Sequence, residues 1–426
     1  MNENKKKEGF LLLLTDKKQK RLLCLVFCCI YFVSYLTRYN YSALLNQIIL
    51  EGALSRSAAA AVSTGAFITY GVGQIVCGFL GDRTNPVRLI GLGLLGTTVC
   101  NLLMFFLSSP VAVALVWGAN GLFQAMLWPP LVRLAAELLN QEDYTRTIER
   151  VIASGSVGSI LIYLLAALLI ALSVWKSTFL VCSLFGLAAL ILWQSVGAKL
   201  PVSGKMKPKE VPVKEEENKK QSAAFAVIPL VSIGLMIVVQ GILRDGVTSW
   251  MPGYLTEVLS LSSALSAAIS AFMPLFAILG VRLAAALFAR IKNELVGASL
   301  LFGACSFFCL ILGVFFDAGV FLPSLLMALI IGCTHSINSM LIGYLPMRFA
   351  ALGAAGTAAG LLNACVYVGS ALSVYGIALI SDAFGWQTTV WVWFFVALFA
   401  FGISFLARKL RLVSKEKEVS PALQED

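Results

Sequence analysis

The sequence predicts an all-α polytopic membrane protein, and three observations carry that prediction. Hydrophobic residues make up 59% of the 426 positions and charged residues only 13%, with a mean hydropathy of +0.87. A soluble domain carries about 25% charged residues. Apolar windows of roughly 18 residues or more, each able to cross a ~30 Å hydrocarbon core as a helix, recur from Leu22 to Leu406. Lipid offers backbone amides no partner outside a helix or a closed barrel, and long continuous apolar runs, as opposed to short alternating ones, select the helix.

In chain order, residues 1–20 form a basic N-terminal segment. Its FLLLL core is too short for a signal-peptide core and no small-residue cleavage site follows, so no cleavage is expected. Six apolar spans come next, over 21–49, 57–81, 88–108, 110–139, 147–173 and 176–197. The only long polar interruption, 199–223, contains KMKPKEVPVKEEENKK, whose Lys, Glu and Pro content predicts a disordered linker. Six further spans follow, over 224–256, 262–289, 294–316, 319–345, 350–381 and 386–408, before a polar tail. The expected organisation is thus twelve transmembrane helices in two six-helix halves, 21–198 and 224–409, with the tail at 410–426.

The net charge of +10 raises the question of a polyanionic partner. Its distribution answers it. With these spans, 27 of the 32 Lys and Arg residues fall in the termini, in alternate loops or at the span ends beside them. Only Arg56 and Lys176 fall on the other side, and Arg38, Arg244 and Arg282 lie within spans. This is the positive-inside pattern. It reports topology, with both termini and the linker cytoplasmic, and argues against nucleic acid. The ten cysteines sit almost entirely in apolar spans with no CxxC or Cys/His spacing, so no metal and no cofactor are expected.

The halves repeat faintly. Arg38 precedes Asp82 by 44 residues and Arg244 precedes Arg290 by 46, and both second spans run into short basic loops, DRTN and RIKN. Two six-helix halves joined by a linker fit a parallel-repeat carrier, with its substrate site near the midplane where the repeats meet. GFLGDRTNP (Gly78 to Pro86) resembles the loop signature of the major facilitator superfamily. YLTRYN (35–40), GLFQAMLWPPLVR (121–133), LRDGVTSWMPGYL (243–255) and GAAGTAAG (353–360) are together similar to its organophosphate:phosphate antiporters, which exchange glycerol phosphate or hexose phosphate for phosphate. The resemblance implies a major facilitator fold with pseudo-symmetric halves. It also makes Arg38 and Arg244 the phosphate-binding pair, and the loop bearing Gly78, Gly81, Asp82 and Arg83 a cytoplasmic gate.

The residues themselves support an anion site. An intramembrane arginine costs about 2.5–3.5 kcal/mol on insertion scales, and no acid lies within helical reach of Arg38. Tyr31, Tyr35 and Arg38 share a helical face that Tyr41 and Ser42 extend, and hydroxyls beside a guanidinium suit an oxyanion. Arg244 has Gln240 one turn before it and Thr248 one turn after. Its neighbour Asp245 points about 100° away along the helix, yet is near enough to neutralise the arginine when substrate is absent. Gln124 and Trp128 are candidates for the cavity wall, with Pro129 and Pro130 marking a kink. Asn363 and Tyr367 form a polar i, i+4 pair in span 11. His335 is the sole histidine, either a titratable cavity group or a satisfied helix contact.

Two positions depart from the family. Gln74 stands where these antiporters often carry a lysine, and Gly155 lies in VIASGSVGS where a histidine is common. Arg282, the repeat-equivalent of Gln74, is a candidate for a relocated third positive charge, or else a residue that pairs structurally or faces a cytoplasmic cavity. The expected partners are a phosphorylated small anion, inorganic phosphate and the bilayer, for a monomeric carrier in the cell (inner or plasma) membrane. Two alternatives stand beside exchange: proton- or sodium-coupled symport of a carboxylated anion such as a hexuronate, and a transport-inactive sensor of sugar phosphate. The scarcity of acids within the spans counts against the first. No catalytic dyad, triad or metal cluster suggests an enzyme.

Overall fold

The computed structural model describes residues 16–197, 199–200, 222–291, 293–344 and 355–407, and the side chains of a few helical residues within these ranges fall outside the description. The helices run in order α1 (Lys17–Leu50), α2 (Arg56–Arg83), α3 (Pro86–Phe106), α4 (Pro110–Ala125), α5 (Trp128–Leu138), α6 (Gln141–Ala171) and α7 (Ser177–Gly197). After the linker come α8 (Ser222–Glu257), α9 (Ser263–Ser270), α10 (Met273–Ile291), α11 (Glu294–Val314) and α12 (Phe321–Asn338). A π-helical turn (Ser339–Tyr344) and α13 (Ala355–Ala407) complete the chain. Eleven runs among the described residues are long and apolar enough to cross a membrane. The last of them breaks at Gly385, whose φ of 79° only glycine adopts without strain, and the break falls between the last two predicted spans.

Three spans are interrupted, the fourth where its prolines predict a kink. The fourth is split at Met126 and Leu127, because Pro129 and Pro130 withhold amide donors from the preceding turn and force a restart at Trp128. The eighth is split between Ser270 and Met273, ahead of Pro274. The tenth unwinds into the π turn at Ser339. The basic loops DRTN and RIKN owe their likeness to capping. Asn85 Oδ1 accepts from the amides of Val87 and Arg88, and Asn293 Oδ1 from those of Leu295 and Val296, so each asparagine starts the third helix of its set. The predicted N-terminal segment up to residue 15, the linker from 201 to 221, residues 345–354 and the tail from 408 lie outside the described residues.

Successive crossings alternate direction, so the start of α1 and the α2–α3 turn lie at one end of the bundle, called here the terminal end. The α1–α2 turn and Gly385 lie at the other. Large apolar side chains such as Leu92, Leu95, Val99, Leu115 and Leu300 face outward, as a lipid-facing surface requires. Inside, α1, α3 and α4 are tied by polar bonds. Asn40 Nδ2 donates to Asn101 Oδ1 at 2.6 Å, Asn101 and Asn120 both donate to the Thr37 carbonyl at 3.1 Å, and Thr97 donates to Asn120. Every member finds a partner, the condition for tolerating polar groups there. An antiparallel seam joins α2 to α13: Arg56 meets Ser381 and Asp382, Thr64 donates to the Ala371 carbonyl, Tyr70 packs on Tyr367, and Asn363 donates to Gln74 at 3.4 Å.

Candidate functional site

Arg38 projects from the middle of α1 into a cage of phenol rings. Its guanidinium carbon lies 4.7 Å from the Tyr35 ring centre, 5.0 Å from Tyr70 and 5.1 Å from Tyr39. Each such face stabilises a desolvated cation by about 0.5–2 kcal/mol, so three together offset much of the insertion cost of an arginine. Rings supply no counter-charge, however. Among the described residues the buried Arg38 Nε has no hydrogen-bond partner, and no carboxylate pairs with the side chain. A small cavity of about 30 Å³, lined by Arg38, Ser42, Ser63, Tyr70 and Asn120 among others, adjoins it.

Arg244 is held differently. Its Nε donates to Asp245 Oδ1 at 2.9 Å and its Nη2 to Asp245 Oδ2 at 2.7 Å, a two-pronged pair within one turn of α8. Consecutive helical residues diverge at Cβ, but the arginine stem is long enough to fold back across that divergence. Ser370 of α13 donates a short hydrogen bond to the same Oδ2, and Asp245 is 2% exposed. Tyr367 lies between the two arginines, 4.4 Å from Tyr70 on one side and 5.9 Å from the Arg244 guanidinium on the other. His335 of α12 lies in the electrostatic reach of Arg244 and Asp245, with Nδ1 3.0 Å from the Ile331 carbonyl of its own helix. Gln240 donates to the Thr334 carbonyl at 3.1 Å while its Oε1 has no partner.

A file of aromatic rings leads from Arg38 toward the terminal end. Tyr35 stacks on Tyr39 at 5.2 Å, Tyr31 lies 5.0 Å from Tyr35, and Trp128 lies 4.8 Å from Tyr31. Gly155 explains why no histidine stands at that position. A Cβ there would come within 2.8 Å of the Tyr35 ring and 2.9 Å of the Tyr31 ring. The two phenols occupy the volume that a larger side chain on α6 would need.

The structure therefore gathers Arg38, Tyr35, Tyr31, Trp128, Arg244, Gln240, Tyr367 and His335 around one region, with Gln74 and Asn363 on the seam beside it. It does not bring in three others. Gln124 turns away from the chamber and donates to Thr37 Oγ1 at 2.7 Å and Thr97 Oγ1 at 2.8 Å, completing the network inside the first set of helices. Arg282 is exposed, on the face of α10 opposite Gly280 and Ala284, and no described hydrogen bond or ion pair links it to the arginine pair. Tyr41 points into the core, stacking on Trp117 at 5.2 Å and donating to the Ala59 carbonyl. Among the described residues nothing lies within 4 Å of where a side chain on Gly78 would begin, so it makes no close helix approach to them. The side chains of Gly81, Asp82 and Arg83 lie outside the described residues.

Four further residues complete the region. Tyr39 and Tyr70 cage Arg38, Ser370 holds Asp245, and Tyr163 of α6 donates to the Thr248 carbonyl of α8 at 3.1 Å. Tyr70 carried a readable signal, since it stands one turn before Gln74 just as Tyr367 stands one turn after Asn363. Ser370 had none, being one small residue among many in its helix.

A bundle of membrane-crossing helices with a half-buried and a buried arginine between its two sets is the construction of a multi-pass membrane transporter. Residues 27–374 match the Major Facilitator Superfamily, and the chain belongs to it. It is 25% identical to the membrane sensor protein UhpC of Salmonella typhimurium over 88% of both chains. It is 24% identical to a probable hexose phosphate transport protein of Chlamydia muridarum, over 87% of this chain and 86% of that one. Against the glycerol-3-phosphate transporter of Bacillus subtilis it is 28% identical, over 87% and 89%. Among solved structures, a bacterial homologue of the human lysosomal transporter Spinster, inward-facing and unoccupied, superposes with a TM-score of 0.72. The match covers 93% of this chain and 98% of that one at 13% identity, a likeness of fold.

Proposed function

We propose that the protein exchanges an organophosphate, of the sugar phosphate or glycerol phosphate class, for inorganic phosphate by alternating access between residues 21–198 and 224–409. The observation that carries this reading is the Arg38 guanidinium, caged by three phenol rings and, among the described residues, left without a counter-ion beside Arg244. A phosphoryl group seated between the two would satisfy the Arg38 fork and share Arg244 with Asp245. An anion bridging the halves balances the single positive charge that Asp245 leaves on the arginine pair, so the loaded carrier rocks more readily than the empty one, which favours exchange over net flux. The names of the relatives support the organophosphate class. The charge pattern supports a cell-membrane carrier with cytoplasmic termini. The bonds at the far end, from Asn46 to Thr256 and from Arg56 to Asp382, support an inward-open state. The site is complete within one chain, in keeping with a monomer.

The test is counterflow. Purified protein in liposomes loaded with radiolabelled phosphate is challenged from outside with hexose phosphates, glycerol-3-phosphate and hexuronates. Efflux triggered only by an organophosphate supports exchange. Uptake that requires a proton or sodium gradient and no internal phosphate replaces it with symport. A second reading, a sensor that binds sugar phosphate without moving it, is favoured by the likeness to UhpC; binding without efflux would establish it.

A further inference from the structure

The two arginines of the proposed clamp carry different charge balances. Arg38 has aromatic faces and no acid, whereas Arg244 is fully paired with Asp245, a carboxylate that Ser370 also anchors. The charged and titratable groups around that carboxylate are Arg38 and Tyr39 from α1, Tyr163 from α6, Arg244 on its own helix, His335 from α12 and Tyr367 from α13. With the phenols and imidazole neutral, two guanidinium charges and one carboxylate leave a single net positive charge. A bound monoanion balances it. A dianion leaves an excess negative charge beside a buried carboxylate, in a site of low polarisability where like charges a few ångströms apart repel strongly.

We propose that Asp245 is the charge-selecting residue of the site and restricts it to singly charged phosphoryl groups, so that the transported organophosphate is the monoanion ROPO₃H⁻. Asp245 occupies Arg244 in the empty carrier. The incoming monoanion binds Arg38 first and shares Arg244 with the carboxylate, keeping the chamber neutral. The second ionisation of a phosphate ester falls at about pH 6, so mild acidity outside raises the transportable fraction. The proton then travels on the phosphoryl oxygen and needs no titrating side chain. This inference rests on the phosphate reading above and deepens it.

The test uses two probes of fixed charge at one pH, so that titration of His335 does not enter. Binding of dimethyl phosphate, a monoanion, and of methyl phosphate, a dianion at pH 8, is measured on the purified full chain by calorimetry. The wild type should favour dimethyl phosphate. Asp245→Asn should strengthen methyl phosphate binding by about tenfold or more beyond any change for dimethyl phosphate. Asp245→Ser carries the same expectation should the asparagine variant not purify. Equal changes for the two probes, or no gain for the dianion, overturn the inference and leave the phosphate reading standing. A wild type that binds neither probe overturns both.

Discussion

Arg56, at the start of α2, is the place to test whether the state seen here is held by a latch. Its side chain is 14% exposed, forms a short ion pair with Glu257 of α8, and reaches Asp382 of α13 through Nε at 2.9 Å. Its Nη1 donates to Ser381 at 2.9 Å, and the guanidinium carbon lies 5.7 and 5.8 Å from the Trp250 and Trp386 rings. Asp382 is 48% exposed, so its share is only a few tenths to about 1 kcal/mol. The better-buried Glu257 pair and the indole faces add about 2–3 kcal/mol. Arg56→Ala should therefore shift the balance between this state and one open at the far end by about 2–4 kcal/mol, or roughly 30- to 1000-fold. Glu257 keeps a partner in the variant, since Trp386 Nε1 also donates to it at 2.8 Å, so the change reads the cross-link and not an orphaned acid. Spin labels on Leu50 and Leu265, both exposed at that end, report the separation by pulsed electron resonance. The long-distance population should rise in Arg56→Ala and stay unchanged in Lys176→Ala, whose described hydrogen bond, to Ser108 of the α3–α4 turn, is 3.4 Å. A distance distribution indistinguishable from wild type would refute the latch.

Other outcomes follow from the same geometry. Arg38→Lys should reduce phosphate counterflow by at least about a hundredfold despite keeping the charge, because an ammonium lacks the planar fork and stacks less well in a phenol cage; near-normal counterflow would dismiss the two-arginine clamp. Gly155→Ala should destabilise the protein by about 1–3 kcal/mol through overpacking on Tyr31 and Tyr35, seen as a lower melting temperature in detergent, while Gly402→Ala, with open space around it, should not. Gln124→Leu strips Thr37 and Thr97 of a buried donor and should lower thermal stability by about 1–3 kcal/mol with phosphate affinity unchanged, a combination that a residue in direct contact with substrate would not show.

How far the sequence could be read depended on whether a residue's role was set by its own helix or by a neighbour. Arg38 and Arg244 were legible because a charge inside an apolar span needs a reason wherever the chain folds around it. The breaks at Pro129 and Gly385 are local backbone chemistry. Helical position alone does not say which neighbour the faces bearing Gln124 and Arg282 meet. Gln124 donates to hydroxyl groups from two other helices, and Arg282 lies on an exposed face of its own. Ser370 and Tyr163 were invisible for the converse reason, since each acts on a residue in another element far along the chain. The gating role of Asp82 and Arg83 remains a proposal from resemblance.

The repeat carries one more consequence. The residue after each arginine is Tyr39 in the first half and Asp245 in the second, and both lie close to the midline, each within electrostatic reach of the other. A strictly symmetric site with aspartate at both positions would neutralise both guanidiniums and leave nothing for an anion to offset. With tyrosine at both, two uncompensated cations would face each other in a dry interior, and an empty carrier would be held apart by their repulsion. One of each leaves a single unbalanced charge, enough to draw an anion in without holding it as tightly as two free guanidiniums would. Tyr39→Asp should then weaken phosphate binding by supplying Arg38 with its own acid. Unchanged affinity in that variant, with the protein still folded, would mean that the broken symmetry between positions 39 and 245 has no part in binding.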